Sequence, residues 1–139
     1  MSSSSKKAIV IVDDETSYID LLAQLIGDNL GRPVFTFARP LEALEALPRI
    51  DVGVIVTDFY MPELNGFEFV LRASAMAPGV PFILITGHAI DLTDEEFTQL
   101  PALKSVIHKP FVWRRLAMEI LKHWPESHPP IAHADLPLL

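Results

Sequence analysis

The chain has 139 residues, half of them hydrophobic, and eighteen acidic against eleven basic side chains give it a net charge of −7. This length and apolar content are typical of one folded domain and exclude a disordered chain. The lack of cysteine excludes a disulfide framework, a thiolate metal site and a cysteine nucleophile. The acidic balance argues against a broad nucleic-acid-binding face, and no direct contact with nucleic acid is expected.

The two ends of the chain differ in composition from the rest. Residues 1–6 are polar and rich in serine, which predicts a flexible leader. Residues 125–139 hold four of the twelve prolines, which predicts a tail or linker stub in which no helix continues. Residues 7–124 are predicted to form the folded domain. No stretch has the apolar length of a secretory signal or a membrane span, so we predict a cytoplasmic protein.

Short apolar runs alternate with segments of helical spacing along the folded part. The apolar runs predict five strands, at Ala8–Val12, Val34–Phe37, Val54–Thr57, Phe82–Thr86 and Ser105–His108. Stripes of apolar residues predict four helices, around Ile19–Leu30, Leu41–Leu47, Phe67–Leu71 and Leu116–His123, and a capping box of Thr93 with Glu96 predicts one more. This alternation predicts an α/β fold of the flavodoxin-like type, a three-layer sandwich of a five-stranded parallel sheet (order 2-1-3-4-5) with five helices.

Polar and charged side chains lie at or just after the ends of four predicted strands. They are Asp13 and Asp14 after the first strand, Asp58 after the third, Thr86 at the end of the fourth and Lys109 after the fifth. Because the carboxyl ends of parallel strands meet at one edge, we expect these groups to lie close together. Three neighbouring carboxylates repel one another unless a cation joins them. Oxygen ligands without histidine or cysteine favour Mg²⁺.

These residues together predict a Mg²⁺-assisted phosphoryl site. One carboxylate could serve as a nucleophile and form an aspartyl phosphate. Thr86 could donate a hydrogen bond to a phosphoryl oxygen, and Lys109 could pair with the anion. The sequence has no glycine-rich dinucleotide turn after the first strand, no P-loop and no hydrolase elbow.

Four motifs occur in the order and at the spacing of one known family. They are IVIVDDE at 9–15, TDFYMPELNGFEF at 57–69, ILITG at 83–87 and HKPF at 108–111. Over residues 7–124 the chain resembles the response-regulator receiver domains of two-component signalling, in particular the single-domain chemotaxis regulators. The resemblance implies a phosphorylation-dependent switch that signals through protein contacts. It implies no enzyme activity beyond self-catalysed phosphotransfer and autodephosphorylation.

The resemblance also implies roles for individual residues. Asp58 is expected to be the phosphoacceptor, supplied by a histidine kinase or a phosphotransfer protein. Thr86 is expected to move toward the phosphoryl group and Lys109 to pair with it. The bond from Lys109 to Pro110 is expected to be cis, which would aim the lysine inward. Gly66 is expected to relieve a backbone constraint near the following helix.

The cofactor implied by the resemblance is Mg²⁺. Asp14, Asp58 and the backbone carbonyl of Tyr60 are expected to be direct ligands. Asp13 is expected to complete the acidic pocket through a water molecule.

Three positions depart from the pattern of the family. Val106 stands three residues before the lysine, where Tyr or Phe is usual, so it has no ring to swing inward. Tyr60, two residues after the phosphoacceptor, is bulkier than the polar residues frequent there, and His88 lies two after Thr86. We expect Tyr60 and His88 to shield the acyl phosphate from water and thereby to set its lifetime.

Two other functions remain open at this point. A small Mg²⁺-dependent phosphohydrolase would use Asp58 as its nucleophile, but such enzymes place an acidic general acid two residues later, where this chain has Tyr60. A degenerate receiver would bind a partner without phosphorylation, and Val106 leaves that alternative open. The chain could equally be a stand-alone receiver or a receiver excised from a longer protein.

Two charged segments suggest a surface for partners. Asp91–Glu96 is acidic, whereas Arg114, Arg115 and Lys122 make the last predicted helix basic. The family often uses the fourth helix, fifth strand and fifth helix for output, so these segments predict a protein partner or a homodimer, and Trp113 could anchor the contact. The alternative is two solvated faces. No membrane contact is expected, and the sequence does not identify the downstream target.

Overall fold

Five short runs of the sequence pair into one parallel sheet in the computed structural model, which describes residues 7–87, 96 and 98–125. The strands are β1 (Ala8–Val12), β2 (Val34–Phe37), β3 (Val52–Asp58), β4 (Phe82–Thr86) and β5 (Leu103–His108). Their order across the sheet is β2-β1-β3-β4-β5, and all four pairings are parallel. The predicted fold class and strand order are therefore confirmed.

The burial of the strands follows from their place in the sheet. Every residue of β1, β3 and β4 is buried, because these three central strands are covered on both faces. The edge strands β2 and β5 are only partly buried. Continuous apolar runs in the sequence therefore mark the central strands.

Four α-helices lie within the described ranges. They are α1 (Thr16–Leu30), α2 (Pro40–Ala46), α3 (Gly66–Met76) and α4 (Trp113–His123), and a 3₁₀ turn at Leu47–Arg49 extends α2. The start of the additional helix predicted near Thr93 lies outside these ranges, and of that segment Glu96 and Thr98 are described and helical. Within the described part of the chain, no helix combines the length and the apolar character that a membrane crossing requires.

Two separate apolar cores hold the helices against the two faces of the sheet. One core packs α1 and α4 against side chains such as Ile9 and Ile11, and the other packs α2 and α3 against Val10 and Val12. Successive residues of a strand point to opposite faces, so each central strand supplies both cores. Burial of each of these side chains contributes about 1.5–3 kcal/mol, which fixes the strand ends that carry the site.

Candidate functional site

The strand register brings the carboxyl ends of four strands level at one edge of the sheet. Val12 pairs with Thr57 across β1 and β3, and Asp58 pairs with Ile85 across β3 and β4. Thr86 pairs with His108 across β4 and β5. The polar residues at or just after these positions consequently share one rim.

Three carboxylates meet at this rim. Asp13, Asp14 and Asp58 each offer an oxygen atom, and these atoms all lie within 4.8 Å of one another. Asp13 is fully buried and Asp58 is 7% exposed, whereas Asp14 faces solvent. The predicted convergence of the three aspartates is thus present in the structure.

Both oxygens of the buried Asp13 carboxylate already have protein donors. Oδ1 accepts a hydrogen bond of 2.9 Å from the backbone N–H of Glu15, and Oδ2 accepts one of 2.8 Å from Nζ of Lys109. The first contact fixes the turn between β1 and α1, and the second joins β1 to the loop after β5. Asp13 therefore connects β1 to the loop after β5 and also contributes one of the negative charges of the rim.

The Asp58 carboxyl group lies in an environment that disfavours its charge. Burial, followed by the negative charge of Asp13, raises its pKa from 3.8 to about 6. The ammonium of Lys109, 3.6 Å from Oδ2, and the backbone N–H of Phe59, 2.8 Å from Oδ1, oppose this shift without cancelling it. The rim thus holds more negative charge than its own cation balances.

Lys109 is the cation of the rim. Its Nζ lies 2.8 Å from Asp13, 2.7 Å from Glu15 and 3.6 Å from Asp58, and it sits 5.2 Å from the centre of the Tyr18 ring. Burial alone would lower the pKa of Lys109, but the hydrogen bonds to Asp13 and Glu15 outweigh it, so the pKa is raised. The ammonium group therefore stays charged across the physiological range.

The backbone around Lys109 matches the expectation from the resemblance. The Lys109–Pro110 peptide bond is cis. The N–H of Lys109 donates a 2.7 Å hydrogen bond to the carbonyl oxygen of Thr86, which ties the loop after β5 to the end of β4. Thr86 itself is fully buried beside this contact.

The other residues predicted to influence the site differ in their exposure and contacts. Tyr60 is 42% exposed and meets the Phe59 ring edge-on at 4.7 Å between ring centres. Val106 is half-buried in β5 and pairs with Leu84 of β4. His88, expected to shield the acyl phosphate together with Tyr60, lies outside the described residues.

The loop after Asp58 returns close to its own start at Gly66. The N–H of Gly66 donates a 2.6 Å hydrogen bond to the carbonyl of Phe59. A Cβ atom at position 66 would lie 2.8 Å from the Cα of Phe59 and 3.0 Å from the carbonyl oxygen of Asp58. Only glycine fits there without a backbone shift, which agrees with the expected constraint. Asn65 and Glu68 then begin α3 with a capping box.

An open cleft of about 350 Å³ lies over the rim. It is lined by Asp14, Glu15, Asp58, Tyr60, Gly87 and Lys109. The carboxylates at its floor are hard oxygen donors without a histidine or cysteine partner, and their excess negative charge favours a cation. This donor set fits Mg²⁺, and Asp13, Asp14 and Asp58 could hold such an ion.

Two side chains of the site were not predicted from the sequence. Glu15 and Tyr18 both belong to the start of α1, and both contact Lys109. The DDE motif contained a signal for Glu15, because a third acidic residue directly after the pair lies close to the same rim. No comparable signal existed for Tyr18, whose ring contacts a lysine 91 positions later in the chain.

Comparisons with known proteins agree with this geometry. Residues 9–121 match the family model of the response regulator receiver domain. The transcriptional regulatory protein FixJ of Bradyrhizobium diazoefficiens is 33% identical over 116 residues, which cover 84% of this chain and 56% of FixJ. The response regulator receiver protein CpdR of Brucella abortus is 29% identical over 116 residues, which cover 84% of this chain and 95% of CpdR.

A solved structure shows the same architecture. The CheY-like response regulator receiver domain protein from Methanospirillum hungatei aligns with a TM-score of 0.73 at 29% identity, over 85% of this chain and 93% of that one. The present chain spans about half the length of FixJ and nearly all of CpdR. The family match over most of the chain, the strand order and the acidic rim together show that this chain belongs to the response regulator receiver domain family.

Proposed function

We propose that this receiver domain accepts a phosphoryl group on Asp58 and acts as a phosphorylation-dependent switch in two-component signalling. The main support is the position of Asp58, whose carboxyl group opens into the cleft within 4.8 Å of two other carboxylates and 3.6 Å from Lys109. The phosphodonor in this proposal is a histidine kinase or a phosphotransfer protein. These partners, the Mg²⁺ requirement and a cytoplasmic location are parts of the proposal.

The proposed transfer is a displacement at phosphorus. A carboxylate oxygen of Asp58 forms a bond to the phosphorus atom while the bond from phosphorus to the donor histidine nitrogen breaks. The electron pair of that bond stays on the imidazole, which takes up a proton, and Asp58 becomes an acyl phosphate. Thr86 donates a hydrogen bond to a phosphoryl oxygen, and Lys109 supplies the positive charge that the new group requires.

Mg²⁺ is the proposed cofactor, and it would neutralise charge on the phosphoryl oxygens during transfer. Asp14, Asp58 and the backbone carbonyl of Tyr60 are the proposed direct ligands. For Asp13 we propose contact through water, because both oxygens of its carboxylate already accept hydrogen bonds from Glu15 and Lys109.

In the phosphorylated state, Thr86 and Lys109 would move toward the new anion and alter the surface around β4 and β5. Val106 has no aromatic ring with which to follow this movement. We therefore propose that the change is transmitted through the backbone between Thr86 and Lys109, where a 2.7 Å hydrogen bond already joins the end of β4 to the loop after β5.

The proposed domain limits are a leader at 1–6, the receiver at 7–124 and a proline-rich tail at 125–139. A homodimer through the surface that includes β5 and α4 stays a prediction. Most of the acidic segment assigned to that surface, residues 91–96, lies outside the described part of the chain.

Incubation with Mg²⁺ and acetyl phosphate, followed by intact mass measurement, tests the proposed function. The wild type should gain the mass of one phosphoryl group, and Asp58→Asn should gain none. Addition of a chelator should abolish the labelling. Equal labelling of both proteins would exclude Asp58 as the acceptor, and repeated turnover of phosphate esters would favour a phosphohydrolase.

A further inference from the structure

The ammonium group of Lys109 is shared between carboxylates at unequal distances. Glu15 and Asp13 are its hydrogen-bond partners at 2.7 and 2.8 Å, whereas Asp58 lies 3.6 Å away, beyond normal hydrogen-bond length. An ammonium group has three N–H donors. At rest, Lys109 therefore lies closer to Asp13 and Glu15 than to the acceptor Asp58.

Glu15 is well placed to hold the lysine there. It is the N-cap residue of α1, but its side chain makes no capping hydrogen bond and instead contacts Lys109. Its backbone is fixed on both sides, because its N–H donates to Asp13 and its carbonyl accepts from the N–H of Ile19 at 3.0 Å. Glu15 lies outside the group of three aspartates suited to a metal ion.

The Tyr18 ring supports the same position from the first turn of the helix. It lies 5.2 Å from the Lys109 ammonium and is itself held edge-on by Phe111, at 6.2 Å between ring centres. A cation over an aromatic face is attracted to it. The start of α1 thus offers Lys109 a carboxylate and a ring together.

We propose that Glu15 is a positioning residue that holds Lys109 in a resting position and so competes with the phosphoryl group on Asp58 for the lysine. This inference rests on the proposed function. A phosphoryl group adds about 1.5–2 negative charges at neutral pH. Lys109 lies 2.7 Å from Glu15 and 3.6 Å from Asp58, so a shift of the ammonium toward the new group weakens its contact with Glu15. Glu15 therefore restrains phosphorylation in the resting protein.

The variant Glu15→Gln keeps the size of the side chain and removes its charge. We expect labelling by acetyl phosphate in the presence of Mg²⁺ to become about threefold to tenfold faster, since a partly exposed ion pair is replaced by a weaker neutral contact. Glu45→Gln is the matched control, because it removes the same charge from an exposed position on α2. It should label at the wild-type rate.

The same substitution in a protein that lacks Lys109 tests whether Glu15 acts through this lysine or through a general effect of its charge on the cleft. We expect Lys109→Met to label more slowly than the wild type, because it lacks the cation next to Asp58. In this background, addition of Glu15→Gln should change the rate less than twofold. If Glu15→Gln accelerates labelling equally with and without Lys109, the residue acts on the anionic phosphodonor, and the proposal is wrong.

Calorimetric titration with Mg²⁺ gives a readout that does not depend on phosphotransfer. Glu15→Gln should bind Mg²⁺ within about threefold of the wild-type affinity, since Glu15 acts on the lysine. A larger loss of Mg²⁺ affinity would assign Glu15 to the metal site and overturn the inference. A labelling rate of Glu15→Gln equal to that of the wild type would show that Glu15 does not restrain phosphorylation, and it would overturn the inference as well. Failure of the wild type itself to be labelled would instead refute the proposed function.

Discussion

The fold disfavours the negative charge of the Asp58 carboxyl group. Its pKa of about 6 lies above the ordinary 3.8, so the ionised form is less stable in the folded state than in the unfolded state. That cost is fully present above pH 6 and disappears as the pH falls toward 4. A rise of this size corresponds to about 3 kcal/mol, and solvent in the open cleft reduces the expected effect to about 1–2 kcal/mol.

We therefore predict that Asp58→Asn stabilises the metal-free protein by about 1–2 kcal/mol at pH 8 and by almost nothing at pH 4. Urea unfolding at both pH values, with a chelator present, measures this difference. Asp20→Asn removes a charge from an exposed site on α1 and should have little effect at either pH. A lower stability of Asp58→Asn at pH 8 would show that Lys109 outweighs burial and the neighbouring carboxylates.

The ring of Tyr60 is expected to protect an acyl phosphate on Asp58 from hydrolysis. Its half-exposed ring lines the cleft beside Asp58, so it should limit the access of water to an acyl phosphate there. Tyr60→Ala should dephosphorylate about threefold to tenfold faster, which corresponds to a loss of about 0.7–1.4 kcal/mol from the barrier. Decay of the labelled protein, followed by intact mass, gives the rate.

The control for shielding is Tyr60→Phe, which keeps the ring and loses only the hydroxyl group. Its decay should resemble that of the wild type. If the wild type decays faster than Tyr60→Ala, the ring promotes hydrolysis and the shielding hypothesis is refuted.

At the scale of elements, Trp124, the residue directly after α4, packs against Gly53 near the start of β3. Trp124, 7% exposed, follows α4 and lies over Gly53, where a Cβ atom would come within 2.5 Å of the indole ring. Arg32 covers the same ring at 5.2 Å. The glycine is therefore part of the docking surface for the last helix.

We predict that Gly53→Ala destabilises the domain by about 1–3 kcal/mol through overpacking. The double variant Gly53→Ala with Trp124→Leu should be less destabilised than the sum of the two single changes, because leucine leaves room for the methyl group. Urea unfolding of the four proteins completes the cycle. Additive effects would mean that the indole ring moves aside freely.

The starts of β3 and β5 show where prediction of the elements from sequence reached its limit. We predicted that the third strand starts at Val54 and the fifth at Ser105, but both begin two residues earlier, at Val52 and Leu103. Gly53 weakens a strand by propensity alone. Its place in the strand is secured by Trp124, 71 positions later, which no local pattern reveals. The strands β1, β2 and β4 had the predicted bounds.

The site was likewise predictable from the sequence only in part. Asp13, Asp58, Thr86 and Lys109 could be grouped from the sequence, because the order of parallel strands decides which strand ends are neighbours. The hydrogen bond from Lys109 to Glu15 could not, because it depends on how the first turn of α1 is oriented. The unequal distances from Lys109 to its three carboxylates also required side-chain geometry.

For the whole molecule, the excess negative charge of the rim predicts that Mg²⁺ stabilises the fold. A ligand at one hundred times its dissociation constant adds about 2.7 kcal/mol, which should raise the melting temperature by about 10 °C in a domain of this size. Thermal unfolding with Mg²⁺ and with a chelator measures the difference. Asp14→Asn should lose most of the gain, and a melting temperature insensitive to Mg²⁺ in the wild type would contradict the proposed cofactor.

The two tryptophans of the chain lie on the same side of the sheet. Trp124 is buried in the core of α1 and α4, and Trp113 packs against that core in a groove shared with Tyr18 and Phe111. Tryptophan emission therefore reports mainly on the face of the sheet that carries α1 and α4. Since Tyr18 also touches Lys109, the emission of Trp113 provides an optical probe of displacement of that lysine, without any added dye.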